Sequence, residues 1–147
     1  MTARKITAVL ASSVVLGIGA APAMALEFAQ PAPDTEESAA VAALRMGRIG
    51  NFGDCTGTLV AKQWVLTARH CLESVNNEGS QARFGQGKDT RVYDVDSWAV
   101  SPTIDAGLLH LTESVEGVKP AKLADAVPSA GEKGHFYGWS SSSRMAR

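Results

Sequence analysis

The feature that most constrains this chain is a rhythm. From Val41 onward, short apolar stretches ("VAALRM", "TGTLV", "WVLTA", "RVYDVDSWAV", "AGLLHL") alternate with breakers such as "GRIGNFGD", "NNEGS" and "FGQGKD". The stretches are short for helices that bury a face, and they are rich in Val, Leu, Thr and Trp, which suit a pleated, half-buried surface. Turn-forming residues at such close intervals predict an all-β antiparallel barrel or sandwich. The Ala-rich piece "KPAKLADAVPSAG" is too interrupted by Pro120 and Pro128 to continue a helix and reads as a linker. The lead-in "ALEFAQPAPDTEESAA" is Pro- and Ala-rich, and is expected to be extended until Val41.

Composition narrows the function classes. The chain has 147 residues, 45% of them apolar, and a formal charge of -1. No segment gathers Lys and Arg, which excludes a nucleic-acid partner, and the apolar content excludes an acidic disordered chain. The first residues stand apart: Arg4 and Lys5 precede an uncharged run from Ile6 to Ala23 that ends in Ala23-Met24-Ala25. A basic start, an apolar middle and an A-x-A ending predict a secretory signal peptide over residues 1–25, cleaved after Ala25. The run is barely long enough to span a bilayer, so no stable membrane association is expected after cleavage. Cleavage removes two basic residues, from 14 to 12 against 15 acidic ones, leaving a charge of about -3.

An exported chain meets an oxidising compartment, and its two cysteines, Cys55 and Cys71, are most simply a disulfide. A loop of this size stabilises the fold by about 3 kcal/mol on the chain-entropy argument. A zinc site drawn from Cys55, His70 and Cys71 fails on spacing, because there is no C-x-x-C, no H-E-x-x-H and no pair of histidines on one element. His110 and His135 also have no partner nearby in sequence, and His110 is read as a surface residue. No metal and no cofactor is expected.

Within "CTGTLVAKQWVLTARHC", residues 55–71, "TGTLV" predicts one strand, Ala61-Lys62-Gln63 a tight connection and "WVLTA" the returning strand. His70 then falls in a turn just past a strand end, where side chains that act on ligands are held on a rigid frame. A lone histidine is more often a satisfied surface or core residue, so position alone leaves its role open.

That same stretch resembles the histidine motif of the trypsin-like (chymotrypsin-fold) serine proteases, C-G-G-[ST]-L-I-x-x-x-W-V-L-T-A-A-H-C, across about seventeen consecutive positions. It departs at Thr56, where the pattern has glycine, and at Arg69, where it has alanine. The resemblance implies that His70 is a general base in a triad in which a serine attacks and an aspartate holds the imidazole tautomer. "DAGLLHL", from Asp105 to Leu111, resembles the family's D-[IL]-A-L-L-x-L segment and makes Asp105 the implied aspartate. The apolar run after it is expected to bury the carboxylate against an imidazole N–H. Asp94 and Asp96 are read instead as the solvent-facing side of a strand that buries Val92, Val95 and Trp98. Gly107 replaces the small residue of the family pattern, and the interval from His70 to Asp105 is short, as a trimmed loop allows.

The nucleophile is missing from the pattern. The family's serine lies in G-D-S-G-G, whose amides also make the oxyanion hole, and the sequence contains no such motif. "GWSSSSRMAR" resembles the family's G-W-G segment followed by a polar tail, and Ser140, Ser141, Ser142 and Ser143 lack the glycines of a nucleophile turn. The mature start "LEFAQPAP" does not match the family's I-V-G-G, so activation through a new N-terminus is not implied.

The resemblance therefore implies the first of the family's two antiparallel barrels over residues 41–123, after a 26–40 N-terminal segment, and a linker with the opening of a second barrel over 124–147. The expected function is that of a secreted serine endopeptidase acting on protein or peptide substrates. This chain is expected to stop before the nucleophile and to be inactive alone. The alternative is a non-catalytic secreted homologue that serves as a binding module. Cleavage preference and oligomeric state are not legible.

Overall fold

Burial alternates along Gly107–Leu111: Gly107, Leu109 and Leu111 point into the core, while Leu108 and His110 are only half-buried. This two-residue period puts one strand face against a core, and its repetition across six strands builds a barrel. The computed structural model describes residues 30–48, 51–73, 79–139 and 145–146. The expected signal peptide and the four serines at 140–143 lie outside the described residues.

The barrel strands are β1 (Val41–Arg48), β2 (Asn51–Ala61), β3 (Trp64–Thr67), β4 (Gln81–Phe84), β5 (Arg91–Val100) and β6 (Gly107–Leu111). They close in the order β1-β2-β3-β6-β5-β4, with every neighbouring pair antiparallel. The all-β antiparallel barrel expected from the sequence is the observed fold. A second, two-stranded sheet pairs β7 (Gly138–Trp139) with β8 (Met145–Ala146).

The interior is filled by Leu44 and Met46 from β1, Leu59 from β2, Val65 from β3, Phe84 from β4, Tyr93 and Val95 from β5, and Leu109 and Leu111 from β6. Each such side chain contributes about 1.5–3 kcal/mol by leaving water. Phe84 and Tyr93 meet edge to face, with centroids 5.8 Å apart. Two glycines are required by close approach. A Cβ on Gly57 would lie 2.5 Å from Val65 Cγ1 and 2.9 Å from Leu44 Cδ1. One on Gly107 would strike Leu72 Cδ1 and lie 3.0 Å from the Ala99 carbonyl oxygen, which accounts for glycine in place of the expected small side chain.

Four local expectations are corrected. The breaker "GRIGNFGD" is largely strand: β1 and β2 form a hairpin in register out to Arg48 opposite Asn51. Gly47 is accommodated in the strand with a φ of 133°, and its N–H and C=O both bond the buried Ser80 hydroxyl. The strand β4 was hidden in "QARF", whose four residues carry a polar outer face and end against the glycine of a breaker. The lead-in is not wholly extended, since Glu36–Ala39 makes one helical turn, α1, with a reciprocal capping box between Thr35 and Ser38. In β5, Tyr93 and Val95 face the core while Val92 is 50% exposed and Trp98 lies at the surface. Val92 shares its face with Asp94, opposite to that of Tyr93 and Val95, and past the bulge between Val95 and Ser97 every residue of the strand to Val100 is exposed.

After β6 the chain runs back over the barrel without further regular structure as far as β7. It is tied by the Val115 amide to the Lys62 carbonyl and the Ala121 amide to the Leu59 carbonyl, each at 2.8 Å.

Candidate active site

Strand β3 ends at Thr67, whose hydroxyl donates to the Thr56 carbonyl on β2 at 2.9 Å. The chain then makes a 3-10 turn over Arg69–Leu72, held by two anchors. Leu72 is buried in the core, and Cys71 is bridged to Cys55 in β2 with their Cα atoms 6.3 Å apart. His70 lies between the anchors, so its backbone has little freedom while its ring projects from the rim. Because the cysteine sulfurs are joined to each other, they are not thiolate ligands for a metal.

Asp105 is presented by the loop between β5 and β6. The Ser101 hydroxyl accepts the amides of Thr103 at 3.3 Å and Ile104 at 3.2 Å, and the Ser101 amide donates to the Ala106 carbonyl at 2.8 Å. Arg69 Nη1 donates to the Ser101 carbonyl at 3.2 Å, joining this loop to the histidine turn. Arg69 was read as a mere departure from the motif; the structure gives it this contact, which no local sequence signal announces.

The structure brings His70 and Asp105 together through both carboxylate oxygens. The His70 backbone N–H donates to Oδ1 at 2.9 Å, and His70 Nδ1 lies 2.8 Å from Oδ2. With the carboxylate ionised, Nδ1 carries the proton and Nε2 is left as the free acceptor. The expectation of a buried carboxylate is corrected: the side chains of His70 and Asp105 are 67% and 59% exposed. The apolar residues after Asp105 turn inward along β6 and do not cover it.

The His70 backbone N–H, then its side chain, lower the Asp105 pKa below the ordinary value of 3.8, against the opposing effect of desolvation. A carboxyl-carbon titration by NMR is therefore expected to place the Asp105 midpoint below 3.8. A depressed folded pKa means that this contribution to stability is present above the ordinary value and is lost as pH falls through the folded one. A midpoint at or above the ordinary value would show that the bidentate contact does not persist in solution.

A second histidine–aspartate pair was missed. His110 Nδ1 lies 2.7 Å from Asp96 Oδ1, and the ring of His110 meets Trp64 edge to face at 4.6 Å. The reading of His110 as a surface residue is thereby corrected: its side chain is half-buried, and its partner lies 14 residues away in sequence. Asp96 occupies the β5 bulge, and its carboxyl is held below the ordinary aspartate value first by the His110 hydrogen bond. Strand alternation was no guide to it, because the bulge redirects the side chain. Asp94 faces solvent and accepts from Gln81 Nε2 at 2.8 Å.

A closed antiparallel barrel with an ordered histidine–aspartate pair on its rim is the first barrel of a trypsin-like fold. It superposes on neuropsin, a serine protease expressed in the limbic system of mouse brain, with a TM-score of 0.55 and 24% identity over 69% of this chain and 50% of that one. In sequence it is 31% identical to an uncharacterized peptidase of Corynebacterium glutamicum (strain R) over 91% of this chain and 46% of the relative. It is also 31% identical to snake venom serine protease 3 of Protobothrops jerdonii over 58% of this chain and 38% of the relative. Residues 31–146 match the trypsin family, and the chain belongs to that family. It spans about half the length of the curated peptidase it matches.

Proposed function

We propose that this chain supplies the base and its orienting aspartate to a secreted trypsin-like serine endopeptidase that hydrolyses peptide bonds in protein or peptide substrates. The observation that carries the reading is the two-point contact of Asp105 with His70, which fixes both the backbone and the ring of one residue. Held so, His70 would present Nε2 as general base to a serine hydroxyl, and would return the proton to the leaving amine. Asp105 would keep the proton on Nδ1 and stabilise the imidazolium as it forms. Cys55, Cys71 and Leu72 would act by positioning, since they pin the turn that carries the base.

No residue of the chain stands in a G-D-S-G-G motif, so the nucleophile and oxyanion hole would come from sequence outside these 147 residues. Export is supported by the disulfide, by the N-terminal signal pattern with cleavage after Ala25 and by the likeness to a venom protease.

Translating the coding sequence beyond Arg147 in all three frames is expected to reveal G-D-S-G-G within several dozen codons; a stop with no such motif would sink this reading in favour of a non-catalytic homologue. The 147-residue chain itself is expected to remain unlabelled by a fluorophosphonate probe. Stoichiometric labelling would mean that one of its own serines is activated.

A further inference from the structure

Trp139 makes three contacts that the catalytic reading does not use. Its backbone N–H donates to Thr56 Oγ1 at 3.0 Å, and its indole Nε1–H donates to the Val41 carbonyl, also at 3.0 Å. The Arg83 guanidinium lies 5.2 Å from its ring centroid. Thr56, Ala43 and Arg83 stand opposite one another in register across β2, β1 and β4. Directly opposed residues share a face of the sheet, so these three form a row on the outside of the barrel. Ala43, in the middle, contributes only a methyl group and leaves room for the indole above it. Thr56 is also the position at which the family's histidine motif has glycine, which carries no hydroxyl to offer.

We propose that Thr56 is a positioning residue. Its hydroxyl receives the Trp139 amide proton and so seats strand β7 on the outer wall of the barrel, one residue from Cys55, whose disulfide partner adjoins His70. The β7–β8 pair begins at this seat, and the place where the chain leaves the barrel is therefore set relative to the histidine turn. The catalytic consequence, a fixed approach to His70 for whatever follows β7, rests on the proteolytic reading above. The tie itself does not.

The row also explains why a threonine suits the position. Its hydroxyl accepts from the Trp139 amide while its backbone carbonyl accepts from the Thr67 hydroxyl at 2.9 Å. The residue thus links β7, β2 and β3 at one point beside the disulfide.

The test is amide hydrogen exchange by NMR on the full 147-residue chain, comparing Thr56→Val, Thr56→Gly and Thr56→Ser. Valine keeps the shape without an acceptor, glycine restores the family pattern and guards against a variant that fails to fold, and serine keeps the hydroxyl. Exchange at the Trp139 amide is expected to rise about tenfold in the valine and glycine variants, the factor that one ordinary hydrogen bond gives. It should stay within about twofold in the serine variant, and the core amides of Val65 and Leu109 should not change. Unchanged exchange at Trp139 without the hydroxyl, or a parallel rise at Val65 and Leu109, would overturn the assignment. Exchange needs no hydrolysis, so failure of the tie leaves the proteolytic reading standing. Absence of a downstream nucleophile motif would in turn leave the tie standing and remove only its catalytic consequence.

Discussion

Replacing Leu109 by alanine is expected to lower the stability of the barrel by about 4 kcal/mol. The residue is fully buried in the middle of β6, between Val65 on β3 and Trp98 on β5. Deleting its isobutyl group loses the transfer energy of the removed carbons and also leaves a void. That void collapses poorly, because closed strands on either side hold their spacing. Urea denaturation should register the loss as a lower midpoint at unchanged slope. Val127→Ala, at a position 91% exposed, is the control and should change stability by less than about 0.5 kcal/mol. A cost below about 1 kcal/mol at Leu109 would mean that the interior is not packed as described.

The second large effect is expected from Cys55→Ala with Cys71→Ala. The bridged residues are 16 apart in sequence, and removing such a crosslink should cost about 3 kcal/mol, on the order of 10–15 °C in melting temperature. The consequence at the rim is more specific. Cys71 is one of two anchors of the 3-10 turn, and the His70 amide is the foremost cause of the lowered Asp105 pKa. Freed of the disulfide, the turn should hold that amide less well, and the Asp105 midpoint should move up toward its ordinary value. A double variant that melts as the parent does, with Asp105 unmoved, would show that Leu72 alone fixes the turn.

Much of this barrel was readable from the chain, and the parts that were not share a physical cause. Strands β3 and β6 announce themselves because their core residues fall in unbroken short runs; the long cysteine-to-cysteine motif singles out His70, and the separate "DAGLLHL" segment singles out Asp105. By contrast β4 has one large core residue, Phe84, and that residue abuts Gly85, so the local signal is of a breaker. The glycines of the β1–β2 hairpin misled in the same way. There the pairing is held by register and by contacts across it, such as the Arg45 guanidinium 3.8 Å from the Phe52 ring centroid, none of which is local in sequence. The His110–Asp96 pair depends on a bulge that only the neighbouring strand reveals. Asp105 was placed by its motif, but its exposure depends on what packs across the rim, and no pattern along one strand carries that information.

The closure of the barrel gives its least conspicuous strand an unexpected weight. Four residues of β4 bridge β1 and β5, and were they to detach, the cylinder would become an open five-stranded sheet. Its two margins would be the eight-residue β1 and the ten-residue β5, each with unpaired amides and carbonyls and with apolar side chains alternating along it. Such margins are templates for pairing with another chain. Resistance to self-association therefore depends on Gln81 to Phe84, although catalysis as proposed makes no use of them.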